Sequence, residues 1–150
     1  MPTVFSMMIR AVLFDFDDTL TMQGAIDFSM LRHALGCPKG TNILEFIESL
    51  PIPQQKEKMD LLETIEADAA AQSRPADHAE TMLSRIKDAE LPMGIITRNS
   101  LTSVQRSLVN FTAVTESDFV VIVSRDDPFL PKPDPAGVLH AAAKMNVDVG

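Results

Sequence analysis

Residues 9 to 14, IRAVLF, are apolar at every position but Arg10, and a run so short fits a strand covered on both faces better than a helix. Such a strand belongs in a parallel sheet, whose neighbouring strands must be joined by crossover connections. The same run stops at three aspartates in AVLFDFDDTLT: Asp15, Asp17 and Asp18. Like charges side by side at the end of an apolar strand repel one another unless a cation or a reaction makes use of them. Asp15 therefore marks both the C-terminal end of a strand and a candidate site.

The rest of the chain supplies the partners of that strand. From Gly24 to about Ala89 the signals are helical: AIDFSMLRHAL, NILEFIESL, KEKMDLLETIEADAAAQ and PADHAETMLSRIKDAE, broken at GCPKG and LPIP. In the last of these Ala79, Met82, Leu83 and Ile86 recur at helical spacing. LPMGIITRNS then reads as a second strand ending at Thr97, followed by a helix with Leu101, Val104 and Leu108 on its apolar face. DFVVIV, residues 118 to 123, reads as a third strand, SRDDPFLPKPDP as a proline-stiffened loop, and AGVLHAAAKMN as a last helix. This order predicts an α/β fold: a three-layer, Rossmann-like parallel-sheet core from residues 1–21 and 90–150, with a helical insert at 22–89. In such sheets the functional crevice lies at the C-terminal ends of the strands.

With 150 residues, 45% of them hydrophobic, the chain can bury a core of its own. Its net charge of −8 disfavours nucleic-acid backbones and anionic membrane surfaces as general partners. No segment approaches the roughly 20 apolar residues of a membrane span, and the N-terminus lacks a signal-peptide pattern, so a soluble, cytoplasmic protein is expected. Cys37, the single cysteine, fits a reducing compartment and reads as a structural thiol. His33, His78 and His140 stand apart without ligand spacing, and the acidic stretch from Glu57 to Glu66 reads as a solvated helix face.

Three strand ends converge in this topology, bringing Asp15 and Asp17, then Thr97, then Lys132 to one edge of the sheet. A carboxylate there can attack a phosphoryl group, and a second carboxylate two residues on can pass a proton to the leaving oxygen. A hydroxyl and an ammonium can hold the transferring oxygens. A hard divalent cation, Mg²⁺, would offset the repulsion between Asp15 and a phosphate. Arg98 and Asn99 could reach the substrate or shape the turn.

DFDDTLT, IITRN and PKPDP resemble, in that order, the first three motifs of the haloacid dehalogenase superfamily of phosphatases. The helical insert stands where that family carries a small α-helical cap, and the chain is most similar to the phosphoglycolate-phosphatase-like branch. The resemblance implies Asp15 as nucleophile and metal ligand, and Asp17 as general acid and base that also lends a backbone carbonyl to the metal. Thr97 would bind the phosphoryl group, with Arg98 and Asn99 as further candidates. Lys132 would neutralise both the phosphate and the Asp15 carboxylate. The expected substrate is a small phosphorylated metabolite and the expected cofactor Mg²⁺. Asp18 stands where many members have Gly and reads as solvated.

The family's fourth motif, an acidic pair after another strand, has no counterpart before NVDVG. Either the chain is part of a longer protein or a metal ligand has been lost, and Asp126, Asp127 and Asp148 are poorly placed to replace it. On the family's strand order, IRAVLF is expected to lie unpaired along one edge, with self-association and weak Mg²⁺ binding as consequences. Two other functions compete with a phosphatase: a phosphomutase of the same superfamily, and a non-catalytic domain that binds a phosphorylated ligand or a partner protein. Asp17 argues against dehalogenase chemistry, which does without the second aspartate.

Overall fold

The computed structural model describes residues 8–149. Along the chain run β1 (Val12–Phe14), α1 (Phe28–Leu35), α2 (Ile43–Glu48), α3 (Ile52–Gln72), α4 (Ala79–Asp88), β2 (Met93–Ile96), α5 (Leu101–Leu108), β3 (Val121–Val123) and α6 (Ala136–Lys144). The fold is α/β, with a parallel sheet in the order β1-β2-β3. Val12 lies opposite Met93, and Gly94 opposite Val121. Among the described residues β1 pairs with β2 alone.

β2 is the buried centre of the sheet, all four of its residues being inaccessible. Gly94 is required there by space: a Cβ at that position would come within 2.9 Å of Val121 Cγ1 and 3.0 Å of Leu13 Cδ1. One core cluster joins Phe14, Phe16, Ile95, Val104 and Leu108. The opposite face of the sheet packs Ile96, Val121 and Val123 against Ala141 and Met145 of α6. α1 to α3 enclose a third cluster of their own, built on Leu31, Leu35, Ile47 and Leu62.

The strands are shorter than their apolar runs. β1 begins at Val12 and not at Ile9, which is 70% exposed. Val12 N donates to Pro92 O at 2.9 Å, and Pro92 has no N–H to return, so the ladder stops there. β3 begins at Val121 because Glu116–Asp118 form a 3₁₀ turn, in which the Asp118 carboxylate turns back to accept from Thr115 N at 2.8 Å.

α4, within the expected 22–89 insert, packs on the sheet's core cluster. Its Ala79 and Leu83 belong to the same cluster as Phe14, Phe16 and Met93, whereas Met82 is 43% exposed. Met22 N donates to Arg74 O at 2.8 Å and Thr21 bridges Pro75, so the chain enters and leaves α1–α3 through two paired stems. We propose that the insert runs from Met22 to Arg74 and that α4 is part of the core.

Candidate active site

β1 ends at Phe14, and the alternation of the extended chain carries on past it. Phe16 is fully buried, while Asp15 and Asp17 lie on the other side. The Phe16 carbonyl then accepts from Thr19, Leu20 and Thr21 N–H at 3.2, 2.9 and 3.3 Å, closing a tight turn. Asp18 sits at the turn's apex with φ of 59°, exposed, and its N–H is held by Thr21 Oγ1 at 3.1 Å. Local backbone geometry thus fixes two carboxylates at the mouth of the sheet and turns the third toward solvent.

The next two strands supply their partners. Thr97 follows β2, and its N–H extends the ladder to Val123 O at 2.9 Å. Thr97 Oγ1 donates to Asp17 Oδ2 at 3.3 Å, and Asn99 Nδ2 lies 3.3 Å from both Asp17 oxygens. Asn99 is itself held, its N–H donating to Thr97 Oγ1 at 3.0 Å and its carbonyl accepting from Arg125 N at 2.9 Å. Lys132, in the loop after β3, donates to Asp15 Oδ1 at 2.7 Å and to Ile96 O, the last carbonyl of β2, at 3.2 Å. Arg98 Nη2 donates to Lys132 O. The six residues singled out in the sequence thus fall into two hydrogen-bonded groups at the strand ends, Asp17 with Thr97 and Asn99, and Asp15 with Lys132 and Arg98.

Electrostatics separate the two carboxylates. Burial acts to raise the Asp15 carboxyl, but the hydrogen bond and charge of Lys132, with Phe16 N–H and the Thr19 hydroxyl, outweigh it and hold Asp15 below the usual carboxylate range. Asp17 moves the other way: its burial exceeds the help of Asn99 and Thr97, and the charges of Asp15 and Asp18 add to the rise. The two neighbouring carboxyls are thus shifted in opposite directions, Asp15 down and Asp17 up.

The Asp15 carboxylate and the Asp17 backbone carbonyl are hard oxygen donors of the kind Mg²⁺ takes, with waters and substrate phosphate completing its shell. They fit that ion. Among the described residues no group of three or more His, Cys, Asp or Glu gathers as a metal cage. Asp126 and Asp127 are committed elsewhere. Asp126 Oδ2 accepts from Leu101 N at 2.9 Å at the start of α5, and Asp127 Oδ2 accepts from Ser124 N at 2.7 Å. His33 and His78 are exposed, and His140 stacks on Phe129 with ring centroids 4.7 Å apart.

Two further participants carry no sequence signature of their own. Thr19 Oγ1 donates to Asp15 Oδ2 at 3.1 Å, a contact foreshadowed only by its place in the turn. Glu66 of α3 is buried and forms a two-pronged ion pair with Arg125, both contacts at 2.8 Å, tying the insert to the loop after β3. Glu66 therefore departs from the solvated face expected of residues 57 to 66. Two cavities flank this link. One of about 260 Å³ opens beside Asp17 and Asn99 under α1–α3. Another of about 650 Å³ is lined by Thr97 and Lys132, and Arg98 and Arg125 border both.

A parallel sheet with Asp, Thr and Lys gathered at its strand ends under a helical insert defines a Rossmann-like α/β protein with a polar site at its crevice. The sequence profile described as haloacid dehalogenase-like hydrolase matches residues 12–149, and the chain belongs to that family. It is 34% identical over 142 residues to an uncharacterized hydrolase of Saccharomyces cerevisiae, covering 93% of this chain and 64% of the yeast protein's length. Among solved structures it is similar to a predicted phosphoglycolate phosphatase from Haemophilus somnus, with TM-score 0.68, 15% identity, and 93% of this chain and 72% of that one covered. It is similar also to CbbY of Rhodobacter sphaeroides in complex with xylulose 1,5-bisphosphate, with TM-score 0.67, 18% identity, and 93% and 74% covered. Among the described residues no helix is long and apolar enough to cross a membrane.

Proposed function

We propose that the protein is a Mg²⁺-assisted phosphatase that hydrolyses a small phosphomonoester through an aspartyl-phosphate at Asp15. The observation that carries this reading is the geometry of the two carboxylates at the strand ends: Asp15 meets Lys132 at 2.7 Å, and Asp17 is held by Thr97 and Asn99 at 3.3 Å. Family membership and phosphatase-type structural relatives support it. The bisphosphate held by the Rhodobacter sphaeroides relative is consistent with a phosphorylated small molecule.

In the first half-reaction an Asp15 oxygen forms a bond to phosphorus as the ester P–O bond breaks, and Asp17 gives its proton to the departing alkoxide. In the second, Asp17, now a carboxylate, takes a proton from water whose oxygen attacks the same phosphorus. The bond to Asp15 breaks, phosphate leaves, and Asp17 is protonated again. Lys132 and the Thr97 hydroxyl offer donors to the phosphoryl oxygens. Mg²⁺, held by the Asp15 carboxylate and the Asp17 backbone carbonyl, would supply positive charge that eases the approach of a carboxylate to an anionic phosphate.

The test is phosphate release from a panel of phosphomonoesters by the wild-type chain and by Asp15→Asn. Release by the wild type, reduced at least about 1,000-fold in the variant, supports the assignment. Equal release by both removes it, and tight ligand binding with no release at all would favour a non-catalytic binding domain.

A further inference from the structure

If Asp17 protonates the leaving oxygen, the alcohol part of the substrate must occupy the cavity beside Asp17. To that extent the placement of the alcohol rests on the hydrolytic reading. The cavity's volume, about 260 Å³, exceeds the roughly 150 Å³ that holds a benzene, so one ring and a short arm fit.

Its walls are apolar where they come from the insert. Ile26, Phe28, Leu31, Ile43, Leu44 and Leu62 line it, and Phe28 is 54% exposed, leaving its ring free to lie against a ligand. Each of the charged side chains from the insert and the loops at the same walls already holds a protein partner through at least one of its atoms, Asp18 excepted. Glu66 and Arg125 satisfy each other at 2.8 Å on both prongs. Arg32 Nη1 donates to Pro38 O at 3.0 Å and to Thr41 O at 2.6 Å. Asn42 Oδ1 accepts from Leu44 N at 2.9 Å. Arg98 reaches toward the phosphoryl side, where it donates to Lys132 O. Asp18, exposed on the cavity wall, adds a negative charge.

We propose that the substrate is the phosphomonoester of a compact, apolar-bodied alcohol that carries no second anionic group. A carboxylate or second phosphate placed here would face Asp18, and would have to draw Arg32, Arg98 or Arg125 from the partners each already holds. A polyol would set hydroxyls against aliphatic walls without partners. An apolar body loses water from its surface at no such cost.

The test is isothermal titration of the full chain, in magnesium buffer, with two phosphonates that cannot be hydrolysed. Benzylphosphonate offers a ring, whereas phosphonoacetate offers a carboxylate. Benzylphosphonate is expected to bind at least about tenfold more tightly. Phe28→Ser, at an exposed position that the fold tolerates, is expected to weaken benzylphosphonate several-fold more than inorganic phosphate. Equal affinity, a preference for phosphonoacetate, binding of neither, or indifference of benzylphosphonate to Phe28→Ser overturns the proposal. Phosphate release from benzyl phosphate is followed in parallel: its absence beside a retained binding preference would remove the hydrolytic reading and leave the cavity's selectivity standing.

Discussion

Lys132 Nζ meets Asp15 Oδ1 at 2.7 Å, joining two residues separated by 117 positions in the sequence. The pair is open to solvent, with 30% and 49% of its side chains exposed, so it belongs to a class of ion pair that adds under about 1 kcal/mol to stability. Its proposed value lies in chemistry. Lys132→Met is expected to lower phosphate release on the order of 100-fold or more, with little change in the urea midpoint at neutral pH. Asp15 is held below its ordinary value, so the stabilisation it contributes is present above the unfolded carboxylate value and fades as pH falls through the folded one. The acid limb of the rate profile should accordingly move to higher pH in Lys132→Met.

Asp17 carries the opposite sign. Its folded value is raised, chiefly by burial, so the protonated form is favoured in the fold, an advantage lost as pH rises through the folded value. Asp17→Asn, which stays neutral, should therefore be more stable than the wild type at pH 7 and lose that margin below the usual carboxylate range. Thermal unfolding across a pH series checks this. A variant less stable at pH 7 would mean that the hydrogen bonds from Thr97 and Asn99 outweigh the burial of the charge.

Glu66→Ala should be the most destabilising of these changes. It leaves the Arg125 guanidinium, whose side chain is 15% exposed, without its partner, and breaking a buried pair on one side costs about 3 kcal/mol. Urea unfolding of the single and double variants completes the cycle, with Glu66→Ala/Arg125→Met expected to recover part of the loss.

Removal of divalent cations by a chelator should stop phosphate release, and added Mg²⁺ should restore it. The metal-dependent fraction should vanish in Asp15→Asn. Release that persists at full rate in excess chelator would exclude the proposed role for the ion.

The parts of the site that could be read from sequence are those fixed by strand ends. Asp15 and Thr97 directly follow apolar runs and Lys132 lies in the loop after the third, and a parallel sheet brings such positions to one edge. Strand limits were less legible because they depend on the partner: Pro92 ends the β1 ladder, and the Thr115–Asp118 turn takes Asp118 from the run 118–123, with β3 starting only at Val121. Glu66 was hidden for a related reason. It lies in a charged stretch whose Glu57, Asp60 and Glu63 are exposed, and nothing near it in sequence announces Arg125, 59 residues away. α4 carries a helical pattern as the insert helices do, and the packing of Ala79 and Leu83 in one cluster with Phe16 is the ground for the proposal that it belongs to the core.

The covalent step at Asp15 is tested most directly by trapping it. In Asp17→Asn the group that activates water is gone, so a phosphoryl group transferred from an activated aryl phosphate, whose leaving group needs no proton, should accumulate on the protein. Acid quenching followed by peptide mass spectrometry should find a single phosphoryl group, on the peptide containing Asp15, and none in Asp15→Asn/Asp17→Asn. A phosphoryl group on any other residue, or undiminished phosphate release by the Asp15→Asn protein, would contradict the account.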